Sequence, residues 1–265
     1  MRHIVITGGT RGIGKGLAIE FLRNNCRVSI SGRNRDRIDQ LISELNSLSA
    51  KEYCQGFVCD VCESDDVKAL WEKASALQPV DIWINNAGIS HSSQRFHQMK
   101  DSEVKKVLAT NIDGTILGSK IVLEEMIRQG SGFLYNMEGL GSDGRMVDGM
   151  SIYGTSKRAV RYFTRALIRE YKNHKVHIGS ISPGMVVTDM LLEPLFSEPE
   201  KNREALKIFH ILADEVDKVT PWLAQKILQN QSHGVHIAWL NNRKILGRFI
   251  GNMFKKRKVK GLPDF

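Results

Sequence analysis

Stretches with the period of a strand alternate with stretches of helical period for about 180 residues, and that order limits the possible folds more than any other feature of the chain. Short apolar runs at 3–7, 27–31, 56–59, 81–84, 133–137 and 176–181 are separated by amphipathic runs, 35–48 and 63–77 among them. Consecutive parallel strands need right-handed crossovers, so the sheet must be parallel, covered by helices on both faces, and open to a ligand along its carboxyl edge. The chain has 265 residues and 42% hydrophobic content, enough for one large core, so a single α/β domain over 1–265 is expected. Beyond the alternating part, Thr220-Pro221 reads as the N-cap and first turn of a helix, and 235–240 as a last strand.

The first strand runs into Gly8-Gly9-Thr10-Arg11-Gly12-Ile13-Gly14 and then a helix with Ile13, Leu17, Ala18, Phe21 and Leu22 on its inner face. Glycines let a backbone turn tightly and approach a pyrophosphate, which the free N–H groups at a helix N-terminus then hold. The spacing is G-x-x-x-G-x-G rather than G-x-G-x-x-G, and its place between strand and helix makes it the start of a dinucleotide-binding, Rossmann-like doubly wound sheet. An enzyme selecting NAD places an acid at the end of the second strand, whereas a 2′-phosphate calls for a cation. Here that end offers Arg33, and the glycine loop adds Arg11, so NADP(H) is the expected cofactor. Asp60-Val61 follows the third strand, where the carboxylate suits an adenine amino group or a helix cap. Asn85-Asn86-Ala87-Gly88 follows the fourth, with amides and a glycine at a crevice position.

Ser151 to Lys157 opens a helical run in which Tyr153 and Lys157, four apart, share one face. A free phenol has a pKa of about 10, and a neighbouring ammonium favours the phenolate, which brings the group toward acid/base work on a carbonyl or alcohol oxygen. Asn111 lies on the apolar side of a long helical pattern with Val104, Val107, Leu108 and Ile112. A buried amide there bonds backbone or holds a water leading to the site.

Charge is uneven. Residues 243–265 hold eight cations and one acid, so +7 of the net +9 falls in the tail. Within it Ile245, Leu246, Phe249, Ile250, Met253 and Phe254 form one stripe of a helix. That basic amphipathic segment suits packing on its own domain, an oligomer seam, or a peripheral contact of 243–260 with an anionic membrane surface. Nucleic acid is not expected, because no stacking aromatics accompany the charge and the body has no basic groove. No run approaches the length of a membrane span, and the first strand begins at His3, so a soluble cytoplasmic protein is expected, or one of an organelle stroma if a targeting segment lies outside the chain. Cys26, Cys54, Cys59 and Cys62 read as reduced thiols, and Cys59-Asp60-Val61-Cys62 has no second pair, so no metal is expected. His174, His177, His233 and His236 read as surface or loop residues.

Taken together, Thr7-Gly8 to Gly12-Ile13-Gly14, Asp60-Val61, Asn85-Asn86-Ala87-Gly88, Asn111, Tyr153 to Lys157, and Pro183-Gly184 with Thr188 resemble the short-chain dehydrogenase/reductase family over roughly residues 1–190. The resemblance implies Tyr153 as acid/base, Lys157 as holder of the nicotinamide ribose that lowers the pKa of Tyr153, and Asn111 as support for a relay water. It gives Pro183, Gly184 and Thr188 to the carboxamide. The family's serine is missing: Leu140 stands thirteen residues before Tyr153, Gly139 takes the motif position, and Ser142 is the nearest hydroxyl. Ser142 is therefore the candidate to replace it. The runs 136–142, 153–157 and 182–188 resemble the chlorophyll b reductase branch, which reduces a 7-formyl group. The glycine-rich ending of the family is absent. Residues 189–215 begin with Met190, Leu191, Leu192, Leu195 and Phe196 and continue to a helix near 205–212, a variable segment suited to covering a large hydrophobic substrate or to ordinary packing. The leading expectation is an NADP(H)-dependent reductase of an aldehyde or ketone on a large apolar molecule, in a homo-oligomer, dimer or tetramer. A lipid or steroid carbonyl reductase, and an NADPH-binding scaffold or sensor without catalysis, are the alternatives.

Overall fold

In the computed structural model, which describes residues 1–47, 53–192 and 203–262, seven parallel strands form one sheet. They are β1 (His3–Ile6), β2 (Arg27–Gly32), β3 (Cys54–Val58), β4 (Ile82–Asn85), β5 (Gly132–Met137), β6 (Val176–Ser182) and, last in the chain, β9 (His236–Ala238). The spatial order is β3-β2-β1-β4-β5-β6-β9, so the winding reverses between β1 and β4. In such sheets the crevice at the reversal is where a ligand binds.

The period of two along β1 sends its side chains to both faces. Ile4 and Ile6 pack with α1 (Gly12–Arg23), α2 (Arg35–Ser47) and a late helix, whereas Val5 packs on the other face with α3 (Ser64–Ser75) and α5 (Gly114–Gln129). All four residues of β1 are buried, as a strand covered on both faces requires. The sequence run 56–59 is shorter than the third strand, because Cys54 and Gln55 pair in register with Val28 and Ser29. The helix expected at 35–48 ends at Ser47 within the described residues.

Three expectations are corrected. The long pattern around Asn111 is two helices, α4 (Asp101–Leu108) and α5, joined by a π turn, Ala109–Asp113, where each carbonyl is met one residue later than in an α-helix. Thr220-Pro221 does not start a helix. The helix α8 (Val216–Gln229) begins four residues earlier, and Thr220 is buried in it, its hydroxyl donating to the Val216 carbonyl at 2.8 Å and its methyl packed over Gly16 of α1. The last strand is three residues rather than six.

A smaller lobe follows β6. The short strands β7 (Val186–Val187) and β8 (Asp214–Glu215) pair in parallel, and between them lies α7 (Arg203–Leu212). Leu195 and Phe196 of the expected apolar run lie outside the described residues. The tail helix α9 (Asn242–Phe254) is capped by Asn241, whose side chain accepts from the Lys244 N–H at 2.8 Å. Its stripe is not covered: Leu246, Phe249, Ile250, Met253 and Phe254 are all exposed, the last two at 83% and 86%. Two of the tail's cations are internal. Arg248 and Arg257 both pair with the buried Asp214 and donate to the carbonyls of Leu212 and Ile211, and Trp239 donates to the same carboxylate at 2.6 Å. Val259 and Leu262 then close a small core with Leu206 and Ala213, against which Met185, Leu191 and Phe209 pack.

Candidate active site

A cleft of about 580 Å³ opens at the carboxyl edge where the winding reverses. The glycine loop forms one wall. Gly8 has φ +62, a conformation that costs an L side chain 1–2 kcal/mol or so, and a Cβ there would lie 2.8 Å from the Cα of Ala87. Glycine is therefore required by the turn and by the approach of β4's loop. Thr7 and Asn86 tie the two loops: the Thr7 hydroxyl accepts from the N–H groups of Asn86 and Ala87 at 3.1 Å, and the Asn86 amide donates to the carbonyls of Thr7 and Gly8.

Every residue expected on the cofactor side lines this one cleft: Gly8, Thr10, Arg11, Gly12, Ile13 and Gly14 from the first loop, Arg33, Asp60 and Val61 from the next two strand ends, Asn86, Ala87 and Gly88 from the fourth, and Pro183, Gly184 and Thr188 beyond β6. Arg33 is half exposed and faces Asp60 at 3.9 Å, so its guanidinium is held at the rim without being consumed there. Cys59 also lines the cleft, but burial pushes its thiol up to about 12, the reverse of what a ligand or nucleophile needs.

The helix α6 (Ser151–Glu170) carries Tyr153 and Lys157 into the opposite wall. Its first turn is held from outside by a residue that the sequence did not single out. His91, buried, accepts from the Tyr153 N–H at 3.1 Å through Nε2, which leaves Nδ1 to donate to the Ser92 carbonyl at 2.8 Å. Sixty-two positions separate this pair, so nothing local in the sequence signals it. Asn111 sits behind the wall rather than on it. Its Oδ1 accepts from the Ile89 N–H, and its Nδ2 donates to the Ile89 carbonyl and to Ser156, so the π turn pins the β4 loop to α6.

The electrostatics depart from the expectation drawn from the resemblance. Burial pushes the Tyr153 phenol up to about 12, and Lys157 does not offset this, with Nζ 6.0 Å from the ring centre and donating to the Met137 carbonyl at 3.3 Å. Burial thus favours the protonated phenol. Desolvation brings Lys157 itself down to about 8, against the opposing pull of the Glu138 carboxylate. Ser142 is also not where a substrate partner should be. It is buried, absent from the cleft wall, and donates to Glu138 Oε2 at 3.0 Å. Glu138, a second residue that the sequence reading passed over, faces Arg161 at 3.4 Å and His236 at 3.6 Å with its side chain 1% exposed. His236 is exposed, as expected of a surface residue, and bonds Ser180 at 2.8 Å, whereas the half-buried His233 reaches the Ile168 carbonyl at 2.7 Å.

A strand-order reversal, a glycine loop at its edge and a Tyr/Lys pair across the cleft define a nucleotide-binding α/β protein of Rossmann-like fold. The chain belongs to the short-chain dehydrogenase family, whose model matches residues 2–195. It is 32% identical over 262 residues to a probable chlorophyll(ide) b reductase, chloroplastic, of Oryza sativa subsp. japonica, covering 92% of this chain and 51% of that protein. It is 33% identical over 273 residues to another chloroplastic chlorophyll(ide) b reductase of the same plant, covering 99% of this chain and 78% of that one. The chain thus spans about half the length of the first of these relatives. Among solved structures, ElxO with NADP bound superposes with a TM-score of 0.77 at 26% identity, over 89% of this chain and 97% of that one.

Proposed function

We propose that this chain is an NADP(H)-dependent reductase of an aldehyde or ketone on a large apolar molecule, the 7-formyl group of chlorophyll(ide) b being the candidate, a reading supported by relatives named chlorophyll(ide) b reductases. The observation that carries this reading is the presence of Tyr153 and Lys157 in the same cleft as the glycine loop, with Arg11 and Arg33 at the end where a 2′-phosphate would lie. When bound, the reduced nicotinamide supplies hydride to the carbonyl carbon. Tyr153 gives its proton to the oxygen, and Lys157 holds the ribose. Pro183, Gly184 and Thr188 are proposed to orient the ring, and Asn111 to brace the wall behind Tyr153. The far side of the cleft presents Met185, Met190, Leu191 and Phe209, an apolar surface suited to a large ring system.

A homo-oligomer and a peripheral membrane contact through 243–260 belong to the same reading, supported by the uncovered stripe of α9. So does residence in an organelle interior, since the relatives named above are chloroplastic. Among the described residues no helix is long and apolar enough to cross a membrane. The test is NADPH oxidation, followed by absorbance, with chlorophyllide b, long-chain aldehydes and ketosteroids in parallel. Turnover of chlorophyllide b that Tyr153→Phe abolishes, with NADPH affinity kept within a few-fold, is expected. Oxidation with the lipid or steroid carbonyls alone would move the substrate class, and none with any carbonyl would leave an NADPH-binding scaffold.

A further inference from the structure

At the position where the family motif places its serine, this chain has Gly139, and the packing shows why no side chain stands there. A Cβ on Gly139 would lie 2.6 Å from Tyr153 Oη and 3.2 Å from Lys157 Cγ, well inside van der Waals contact with the phenol. The backbone of residue 139 therefore fills the space beside the proton donor that a serine side chain would otherwise take. Ser142 does not supply the lost hydroxyl, because its own is spent on Glu138.

What the cleft offers instead is backbone. Gly139 and Leu140 both line it, and among the described residues neither N–H has a protein acceptor. Glu138, Ser142 and Gly144 donate to the carbonyls of Ile181, Gly139 and Gly141 at 2.7, 3.1 and 3.0 Å, and Gly141, whose N–H also has no acceptor among the described residues, does not line the cleft. N–H groups without an acceptor on two residues of the cleft wall, one of them packed against Tyr153, are a donor set suited to an oxygen on which negative charge develops.

The loop is also braced. Glu138 anchors its start through Ser142, Arg161 and His236, which bring together the loop, α6 and β9. Arg158 donates to the Ser142 carbonyl at 2.9 Å. Gly141 lies so close to α6 that a Cβ there would be 2.6 Å from the Cα of Gly154. A loop braced in this way holds its N–H groups without reorganisation, which is the condition for such donors to be effective.

We propose that the backbone N–H groups of Gly139 and Leu140, with Tyr153 Oη, hold the substrate oxygen in place of the family's serine, and that Glu138 is the positioning residue that fixes them. The proposal rests on the reading that the chain reduces a carbonyl. With hydride that a bound reduced nicotinamide would supply to the carbonyl carbon, the C=O π pair would move to the oxygen. That oxygen takes the proton of Tyr153, and solvent reprotonates the phenolate.

Four results decide it. With Gly139→Ser, kcat for chlorophyllide b is expected to fall about 10²-fold or more while NADPH still binds, because the new Cβ displaces the phenol; equal or faster turnover overturns the proposal. Ser142→Ala, which removes one of the three partners that hold Glu138, is expected to lose no more turnover than Glu138→Ala; a clearly larger loss with an unchanged melting temperature makes Ser142 the partner and overturns the proposal. Glu138→Ala is expected to lower kcat more than KM, and Glu138→Gln, which still accepts from Ser142, to restore it; equal loss in both removes Glu138 from the role. A crystal structure of the NADPH complex needs no substrate, and so separates this inference from the choice of substrate. Gly139 remaining against Tyr153 Oη supports it, and Ser142 Oγ swung to within about 3 Å of that oxygen overturns it.

Discussion

Lys157 titrates under two opposed influences, and the difference between them sets a measurable pH dependence. Desolvation outweighs the Glu138 carboxylate and brings the ammonium from 10.5 to about 8. Below pH 8 both folded and unfolded chains carry the proton, and the cost of burying the charge is fully present. Between about 8 and 10.5 the unfolded chain binds a proton that the folded chain does not, so this residue's contribution makes stability rise with pH across that window. Denaturation midpoints of the cofactor-free protein at pH 7.5, 9 and 10 should therefore converge on those of Lys157→Met as pH rises. A constant gap between the two would contradict the assignment. Arg33 makes the second prediction at this scale. Its only ion pair among the described residues is the long one to Asp60, so the guanidinium is available to a 2′-phosphate. A charge-assisted hydrogen bond of about 1.5–3 kcal/mol corresponds to a loss of about 10- to 100-fold in NADPH affinity for Arg33→Ala, with NADH nearly unchanged. Equal weakening of both nucleotides would show that Arg33 does not meet that phosphate.

At the scale of elements, α9 serves two roles that a truncation would confuse. One face is clipped to the lobe through Arg248, with Arg257 just beyond the helix: both end on Asp214, and a buried pair that loses one partner costs about 3–5 kcal/mol. The other face is apolar and exposed, and from 242 to 262 no acid accompanies its cations. Cutting before Arg243 should therefore collapse the lobe whatever the tail binds. Met253→Ser with Phe254→Ser spares every clip and changes only side chains that are 83% and 86% exposed. The full-length protein should sediment with vesicles of phosphatidylcholine and phosphatidylglycerol at low salt, release as ionic strength rises, and lose the contact in the double variant. A variant that still sediments, or a wild type that stays in the supernatant, ends the membrane reading; a change in oligomeric size assigns the stripe to a subunit seam. The π turn is a second element whose role follows from its geometry, since the extra residue turns Asn111 toward Ile89 and Ser156.

For the whole molecule, the seven-stranded order brings loops from the ends of β1 to β6 to one edge, and the cleft follows from that. The sheet, its parallel winding and the cofactor-side residues were legible in the sequence, because periods of two and 3.6 and a glycine turn are properties of neighbouring residues. Tyr153 and Lys157 were legible for the same reason: four positions on a helix fix a shared face. The sequence did not reveal His91 under Tyr153, Glu138 under the loop, or Asp214 between Arg248 and Arg257. Each of these joins residues from different elements, and the value of a buried polar contact depends on who else is buried there. Local spacing was also insufficient for the phenol's pKa. The Tyr/Lys spacing alone gave the direction that a neighbouring cation imposes, but desolvation by the assembled walls is larger and of opposite sign. The sequence thus determined the scaffold and which residues face its open edge. Tertiary structure alone decided the direction in which burial moves their pKa values, and that the loop beside Tyr153 presents backbone where a serine was expected, because both depend on how closely separate elements pack.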